Sequence, residues 1–99
     1  MISEKQFAVY IMANDRPTLY VGVTNNLIRR VLEHKNRLDP KSFPSRYKLS
    51  KLVYYEFCYD AYNAIIREKQ LKNLGRHVKI KLISETNPSF IDLFSKINS

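Results

Sequence analysis

The sequence predicts an α/β fold whose elements run β-β-α-β-α, with two shorter helical pieces after them. Three observations predict it. Two apolar-alternating runs, residues 7–12 and 18–23, flank a turn-forming stretch. Helical periodicity opened by capping residues follows the second run, and again follows a later β-rich run. The chain has 99 residues, 44% of them apolar, which suits one domain over residues 1–99 with one modest core.

In the first run, Phe7–Met12, the side chains of Phe7, Val9 and Ile11 fall on one face and those of Ala8, Tyr10 and Met12 on the other. Asn14, Asp15, Arg16 and Pro17 break it with turn chemistry. The strand from Thr18 follows at once, with Leu19, Val21 and Val23 on one side and Tyr20 and Gly22 on the other. The two runs therefore pair as an antiparallel hairpin, each giving one apolar side to a core, while Tyr10, Tyr20 and Gly22 share the other face. Gly22 weakens a strand and marks a bulge or a close approach. Thr24, Asn25 and Asn26 offer N-cap chemistry to a helix over about Asn26–Leu38, whose apolar side is Leu27, Ile28, Val31 and Leu32. At about 100° per residue, Arg30, Glu33, His34 and Arg37 gather on the opposite side. Asp39 and Pro40 end the helix. Residues 41–50 lack periodicity, are rich in basic and hydroxyl side chains, and read as a loop. Leu52–Cys58 is a third strand, and Asp60 caps a helix that runs to Leu74 and stops at Gly75. Helical pieces over about His77–Glu85 and Pro88–Ser95 complete the chain, the last with Asn87 as cap and Pro88 at its first position.

A net charge of +8 points to polyanionic partners, nucleic acid first among them. The charge is unevenly placed: residues 29–51 hold eight Lys and Arg against Glu33 and Asp39, a local net charge of +6. Arg29, Lys35, Arg37, Arg46, Lys48 and Lys51 supply this field, which binds phosphates without reading sequence. The single cysteine, Cys58, has no partner for an internal disulfide or a zinc pair and reads as a buried structural thiol, which fits a reducing, cytoplasmic setting. No apolar stretch reaches the ~20 residues of a membrane span, and the first six residues lack a signal-peptide pattern. A soluble protein follows.

The helix from Asp60 carries an anomaly. At about 100° per residue, Leu71, Ala64, Ala61 and Ile65 share one side of this helix, and Glu68 falls between Ala64 and Ala61, inside the apolar stripe. A carboxylate facing a core is costly unless paired, hydrogen-bonded or bound to a cation. Two readings remain open: a carboxylate held by tyrosine hydroxyls or an arginine, or a metal ligand, since Mg²⁺ takes one or two carboxylates and leaves other positions to water and phosphate.

The order of these parts resembles the GIY-YIG nuclease domain. The resemblance rests on Val9-Tyr10, on Tyr20-Val21-Gly22, on Asn26-Leu27 with Arg29, Arg30 and His34, and on Ala64–Lys72. Leu52–Glu56 and Asn87–Leu93 are similar to the third strand and C-terminal segment of its small stand-alone bacterial members, the UvrC-type endonucleases. The resemblance implies a small α/β sandwich with a three-stranded antiparallel sheet, and one divalent ion, Mg²⁺ or Mn²⁺, held by a glutamate. By position, Tyr10 and Tyr20 match the family's tyrosines, Gly22 its second glycine, Arg30 its arginine, His34 its helix histidine and Glu68 its metal ligand. One position departs: Ala8 stands where the first motif has glycine. An asparagine near the domain's end is also common in the family, and Asn87 and Asn98 are the candidates.

Phosphodiester hydrolysis needs an activated water, a cation for the charge growing on the phosphate, and stabilisation of the leaving oxygen. By resemblance, Tyr10 orients or deprotonates the water with Tyr20 in support, Arg30 holds the scissile phosphate, and the ion on Glu68 serves the leaving oxygen. A phenol with a pKa near 10 is a poor base at neutral pH, so Arg30 and the metal must lower it, or His34 takes the proton instead. The reading is a metal-dependent DNA endonuclease, structure-selective or weakly selective, of the kind used in repair or recombination. Two rivals stand beside it: a nucleic-acid-binding module of the same fold with little activity, and an interaction domain whose basic face meets an acidic protein.

Overall fold

The computed structural model describes residues 6–98, so the N-terminal stretch inspected for targeting signals lies, but for Gln6, outside the described residues. The chain runs β1 (Ala8–Ala13), β2 (Leu19–Thr24), α1 (Leu27–Lys35), α2 (Phe43–Arg46), β3 (Lys51–Phe57), α3 (Ala61–Asn73), α4 (Arg76–Thr86) and α5 (Phe94–Ile97). The three strands form one antiparallel sheet in the order β2-β1-β3, and the fold is α+β. β1 lies between two partners and under helices on both faces, so all six of its residues are buried. That is why its sequence is apolar at every position rather than at alternate ones.

Alternation still decides which layer each residue joins. Tyr10 and Met12 pack with Leu27 and Val31 of α1 and Ile97 of α5, while Val9 and Ile11 pack with Ala64 and Leu71 of α3 and Ile83 of α4. The β1–β2 turn is set by Asn14, whose side-chain oxygen accepts from the backbone N–H of Arg16 (3.0 Å) and Thr18 (2.7 Å). The free edge of β3 is partly covered by the segment after α4. Leu93 donates to the Leu52 carbonyl (2.7 Å), the Leu52 N–H donates to Asp92 Oδ1 (3.0 Å), and the Asn87 amide donates to the Val53 carbonyl (3.1 Å). Strand-like pairing to another chain is blocked along that stretch.

Several sequence expectations are corrected. Helix α1 ends at Lys35, not Leu38, because Arg37 adopts a left-handed φ of 52°. Arg37 N–H then bonds to the His34 carbonyl (3.2 Å) and Leu38 N–H to that of Glu33 (3.1 Å), which closes the helix as a Schellman motif. Residues 41–50 are not all loop: Ser42 caps α2 by accepting from Ser45 N–H (3.3 Å), with Pro44 in the first turn. Helix α3 does begin at the Asp60 cap, but it ends at Asn73. Gly75 is the N-cap of α4, with an ordinary φ of −64°, because the chain turns at Leu74 to seat that side chain against the second core layer. Pro88–Ser95 is not a helix. Asn87 closes α4, and its side chain accepts from Ile91 N–H (3.1 Å) and donates to the Ile91 carbonyl (2.8 Å), so residues 88–93 form a pinned loop before the short α5. Cys58 is half-buried against the second core layer, and burial pushes its thiol above the ordinary pKa.

Candidate active site

The β1–β2 register brings Tyr10 opposite Gly22, with Tyr20 two residues away on the same side of β2. The Tyr10 ring lies directly over the glycine: a Cβ at position 22 would come within 2.5 Å of the Tyr10 hydroxyl and 2.6 Å of its ring carbon Cζ. Gly22 is therefore the floor on which the phenol rests, a close approach rather than a bulge. Ala8, at the departure from the family's glycine, pairs with Thr24 and Phe57, and its methyl is fully buried in the same layer as Tyr10.

The third member of the group arrives on α1. Thr24 Oγ1 accepts from Asn26 N–H (3.0 Å) and the Asn26 side chain accepts from Arg29 N–H (3.1 Å), so the chain passes from β2 into the helix with its first donors satisfied. Leu27, Val31 and His34, at i, i+4 and i+7, are the buried residues of α1, and Leu32 is 39% exposed. His34 therefore lies on the core side of the helix. Its apolar-stripe assignment from sequence is corrected by roughly 60° of rotation, which turns Leu32 out and His34 in. The Tyr10 hydroxyl and His34 Nε2 share a 2.8 Å hydrogen bond, and the Tyr20 ring meets the imidazole edge-on at 5.8 Å and the Tyr10 ring at 6.4 Å.

Arg30, one turn before His34, lines a cavity of about 240 Å³ with Glu33, His34, Leu38, Asp39 and Ser42. Its guanidinium donates to Glu33 Oε1 at 2.9 Å, and Arg29 approaches the other Glu33 oxygen at 3.8 Å. Burial pushes the Tyr10 phenol up to about 12, against a smaller downward pull from Arg30. Arg30 by itself therefore does not bring the phenol below its ordinary value, because desolvation dominates. Burial, reinforced by the positive charge of Arg30 and opposed by Glu33, pushes His34 down to about 4. At neutral pH the pair is a neutral phenol bonded to a neutral imidazole.

Glu68 belongs to α3, in the layer across the sheet from Tyr10, between buried Ala64 and Leu71. The stripe is narrower than the sequence suggests, since Ala61 and Ile65 are exposed, but Glu68 is inside it with its side chain 17% exposed. Its partner is neither tyrosine nor arginine but Lys72 Nζ, 3.2 Å away and half in solvent. Among the described residues no hydrogen bond or ion pair joins Glu68 to the tyrosines, and no group of three or more His, Cys, Asp or Glu gathers to hold a metal. A divalent ion is compatible with a half-buried carboxylate offset only by an exposed ammonium, because Mg²⁺ binds through one or two carboxylates and fills its remaining positions with water and phosphate.

The basic residues divide. Arg29, Arg37, Arg46 and Lys48 are exposed. Lys35 is committed within the fold to Asp92 and the Ser50 carbonyl (2.8 Å), and Lys51 to Asp15 (2.7 Å). Asn87 is buried and fully engaged with backbone groups of Val53 and Ile91, whereas Asn98 closes α5 at the surface. Sequence reading missed two neighbours of the site: Glu33 as the ion-pair partner of Arg30, and Phe43, stacked on Tyr20 with centroids 6.0 Å apart. The i, i+3 spacing of Arg30 and Glu33 was a visible signal for the first.

A model of the GIY-YIG catalytic domain matches residues 6–81. A UPF0213 protein of Clostridium perfringens is 41% identical over 76 residues, covering 77% of this chain and 81% of its own. A UPF0213 protein of the Autographa californica nuclear polyhedrosis virus is 31% identical over 84 residues, covering 84% and 81%. The solution NMR structure of a UPF0213 protein from Bacillus halodurans superposes with a TM-score of 0.53 at 26% identity, covering 83% of this chain and 86% of that one.

Proposed function

The chain belongs to the GIY-YIG catalytic domain family, a nuclease family that is generally dependent on divalent metal, and from that premise we propose that it is a metal-dependent DNA endonuclease. The observation that carries the proposal is the junction of Tyr10, Tyr20, Arg30 and His34 on one face of the sheet, with a neutral phenol and imidazole bonded at 2.8 Å beside a cavity walled by the arginine. We further assign the enzyme to structure-selective or weakly selective cleavage of the kind used in repair or recombination, which the exposed cations Arg29, Arg46 and Lys48 support by offering phosphate contacts without base readout.

In this mechanism Arg30 receives the scissile phosphate, which displaces Glu33 from the guanidinium. Tyr10 is too weak an acid to serve as a standing phenolate, so it acts as a relay. Its oxygen takes a proton from the attacking water while its own proton passes to His34 Nε2, and the new P–O bond forms as the leaving oxygen departs. His34 becomes the imidazolium. A bound phosphate favours this, because it cancels the Arg30 charge that helps hold the imidazole neutral. Tyr20 packs against both rings and keeps the pair aligned. Glu68, in the layer across the sheet from this pair, would hold the divalent ion, whose chemistry when bound is to supply positive charge to a phosphate oxygen.

The test is cleavage of labelled duplex, single-stranded and branched DNA with Mg²⁺ or Mn²⁺, by wild type, Arg30→Ala, Tyr10→Phe and Glu68→Ala. Cleavage by wild type that all three substitutions abolish supports the assignment. Binding of the whole panel without cleavage by wild type would replace it with a binding module of the same fold, and cleavage undiminished in the variants would overturn the roles given to these residues.

A further inference from the structure

The loop between α1 and β3 is built to display two aromatic rings. Pro44, Ser45 and Leu49 are buried and anchor it to the fold, while Phe43 and Tyr47, one helical turn apart, are 43% and 47% exposed. Their ring centroids lie 4.5 Å apart, and Phe43 stacks at 24° on Tyr20, so the rings continue outward from the candidate active site. Large rings left in water beside one another gain nothing for the core. The backbone carbonyl of Tyr47 is fixed by the Asn14 amide (2.9 Å), which ties the loop to the β1–β2 turn beside an open cavity of about 420 Å³. Arg16, Arg46 and Lys48 line that cavity, and none of them forms an ion pair among the described residues. The acidic residue in the lining, Asp15, is turned to Lys51 at 2.7 Å.

Exposed rings supply a face for a base, and unpaired cations beside them supply partners for a phosphate. We propose that Phe43, Tyr47 and the cavity of Arg16, Arg46 and Lys48 form a nucleotide subsite, which seats one unpaired nucleotide near the phosphate held at Arg30. The position of the subsite relative to the scissile phosphate rests on the nuclease reading of Arg30. A base paired within a duplex has both faces stacked and cannot lie on the platform. The subsite is therefore engaged where a strand is unpaired, as in a gap, a flap or a loop.

The test uses 2-aminopurine, whose fluorescence is quenched by stacking, placed in turn at each position of a short oligonucleotide held in EDTA so that nothing is cut. Wild type quenches at one position. Tyr47→Leu and Phe43→Leu lose the quench and bind about 5- to 150-fold more weakly, the range for loss of one stacked base, and Tyr47→Trp restores both. Arg46→Ala and Lys48→Ala each reduce the slope of log affinity against log salt by about 0.7, as for one released counterion on a single strand. Unchanged quenching in Tyr47→Leu and Phe43→Leu, or equal quenching at every position, overturns the subsite. So does displacement of the oligonucleotide by an acidic peptide of equal charge at equal concentration, which would make the face a protein contact. Position-specific quenching without cleavage in Mg²⁺ leaves the subsite standing and removes the nuclease reading, whereas cleavage without quenching does the reverse.

Discussion

Acidification should cost this fold stability through one side chain, and the size follows from the burial of His34. An imidazole with a pKa of 6.5 when unfolded and about 4 when folded binds its proton more readily in the unfolded chain. Its contribution is present in full above pH 6.5 and is lost as pH falls toward 4. At 1.36 kcal/mol per unit the whole effect is about 3 kcal/mol, of which about 2 kcal/mol lies between pH 7 and pH 4.5. Glu56 and Asp92 also have lowered values, through Arg67 and Lys35, but each loses stability mainly below the ordinary carboxylate range. Urea unfolding of wild type and His34→Gln at pH 7, 6, 5 and 4.5 separates the contributions, because only the wild type carries the histidine term. Across that window the wild type should lose more stability than the variant, by about 2 kcal/mol. Parallel pH dependences would refute the claim that a neutral imidazole is held under the sheet, and with it the proton acceptor of the proposed mechanism.

Three further outcomes follow from single contacts. Gly22→Ala drives a methyl into the Tyr10 phenol, which His34 holds in place, and should cost about 1–3 kcal/mol in urea unfolding. Gly75→Ala, whose added carbon meets nothing within 4 Å, serves as the mild control, and equal losses in the two would refute the close approach. Glu33→Gln releases Arg30 from a partly exposed ion pair and should tighten binding of a single-stranded oligonucleotide by about 2- to 5-fold at low salt; unchanged affinity in fluorescence anisotropy would mean the pair does not compete with phosphate. Asn87→Ala removes three hydrogen bonds from a buried side chain and should cost about 2–4 kcal/mol in thermal or urea unfolding while leaving nucleotide binding below the transition intact. A loss under about 0.5 kcal/mol would show that the 88–93 loop is held by other contacts.

The parts of the fold that were legible are those fixed by neighbours in sequence. The hairpin could be read because Asn14 through Pro17 supply turn chemistry between two alternating runs, and the Asp60 and Asn26 caps because each accepts from a donor three residues on. Local signals failed where a distant contact chose between alternatives. Gly75 carried a stop signal, but the core's demand for Leu74 made it a start. Asn87 and Pro88 looked like a helix opening, but bonds to Val53 and Ile91 took the asparagine's hydrogen-bonding capacity and bent the chain into a loop. Arg37 lay on the helix face by arithmetic, and a left-handed closure removed it, at a residue whose type gives no warning of that conformation. Helix α2 is too short for periodicity to register, although Ser42 and Pro44 were present as a cap and first-turn proline.

The error at His34 is the most instructive, because the residue type and its position on the helix pointed in opposite directions. An imidazole next in sequence to Glu33 and Lys35 reads as a surface group, yet at i+7 from Leu27 it completes the buried stripe. What allows it inside is not on its own helix. Tyr10 offers a hydroxyl on the central strand, and Gly22 on the next strand leaves the space in which that phenol lies. A buried polar pair is costly unless each partner satisfies the other, so the same bond that proposes a proton path also permits the layer to pack. Chemistry and stability are thereby coupled at one contact. Substitutions that remove the hydroxyl or the imidazole will perturb the core as well as the reaction, whereas Arg30, half in solvent, can be replaced with little effect on folding. Loss of cleavage in Arg30→Ala at unchanged stability is therefore a cleaner sign of a catalytic role than loss in Tyr10→Phe, where a change in folding must first be measured and removed.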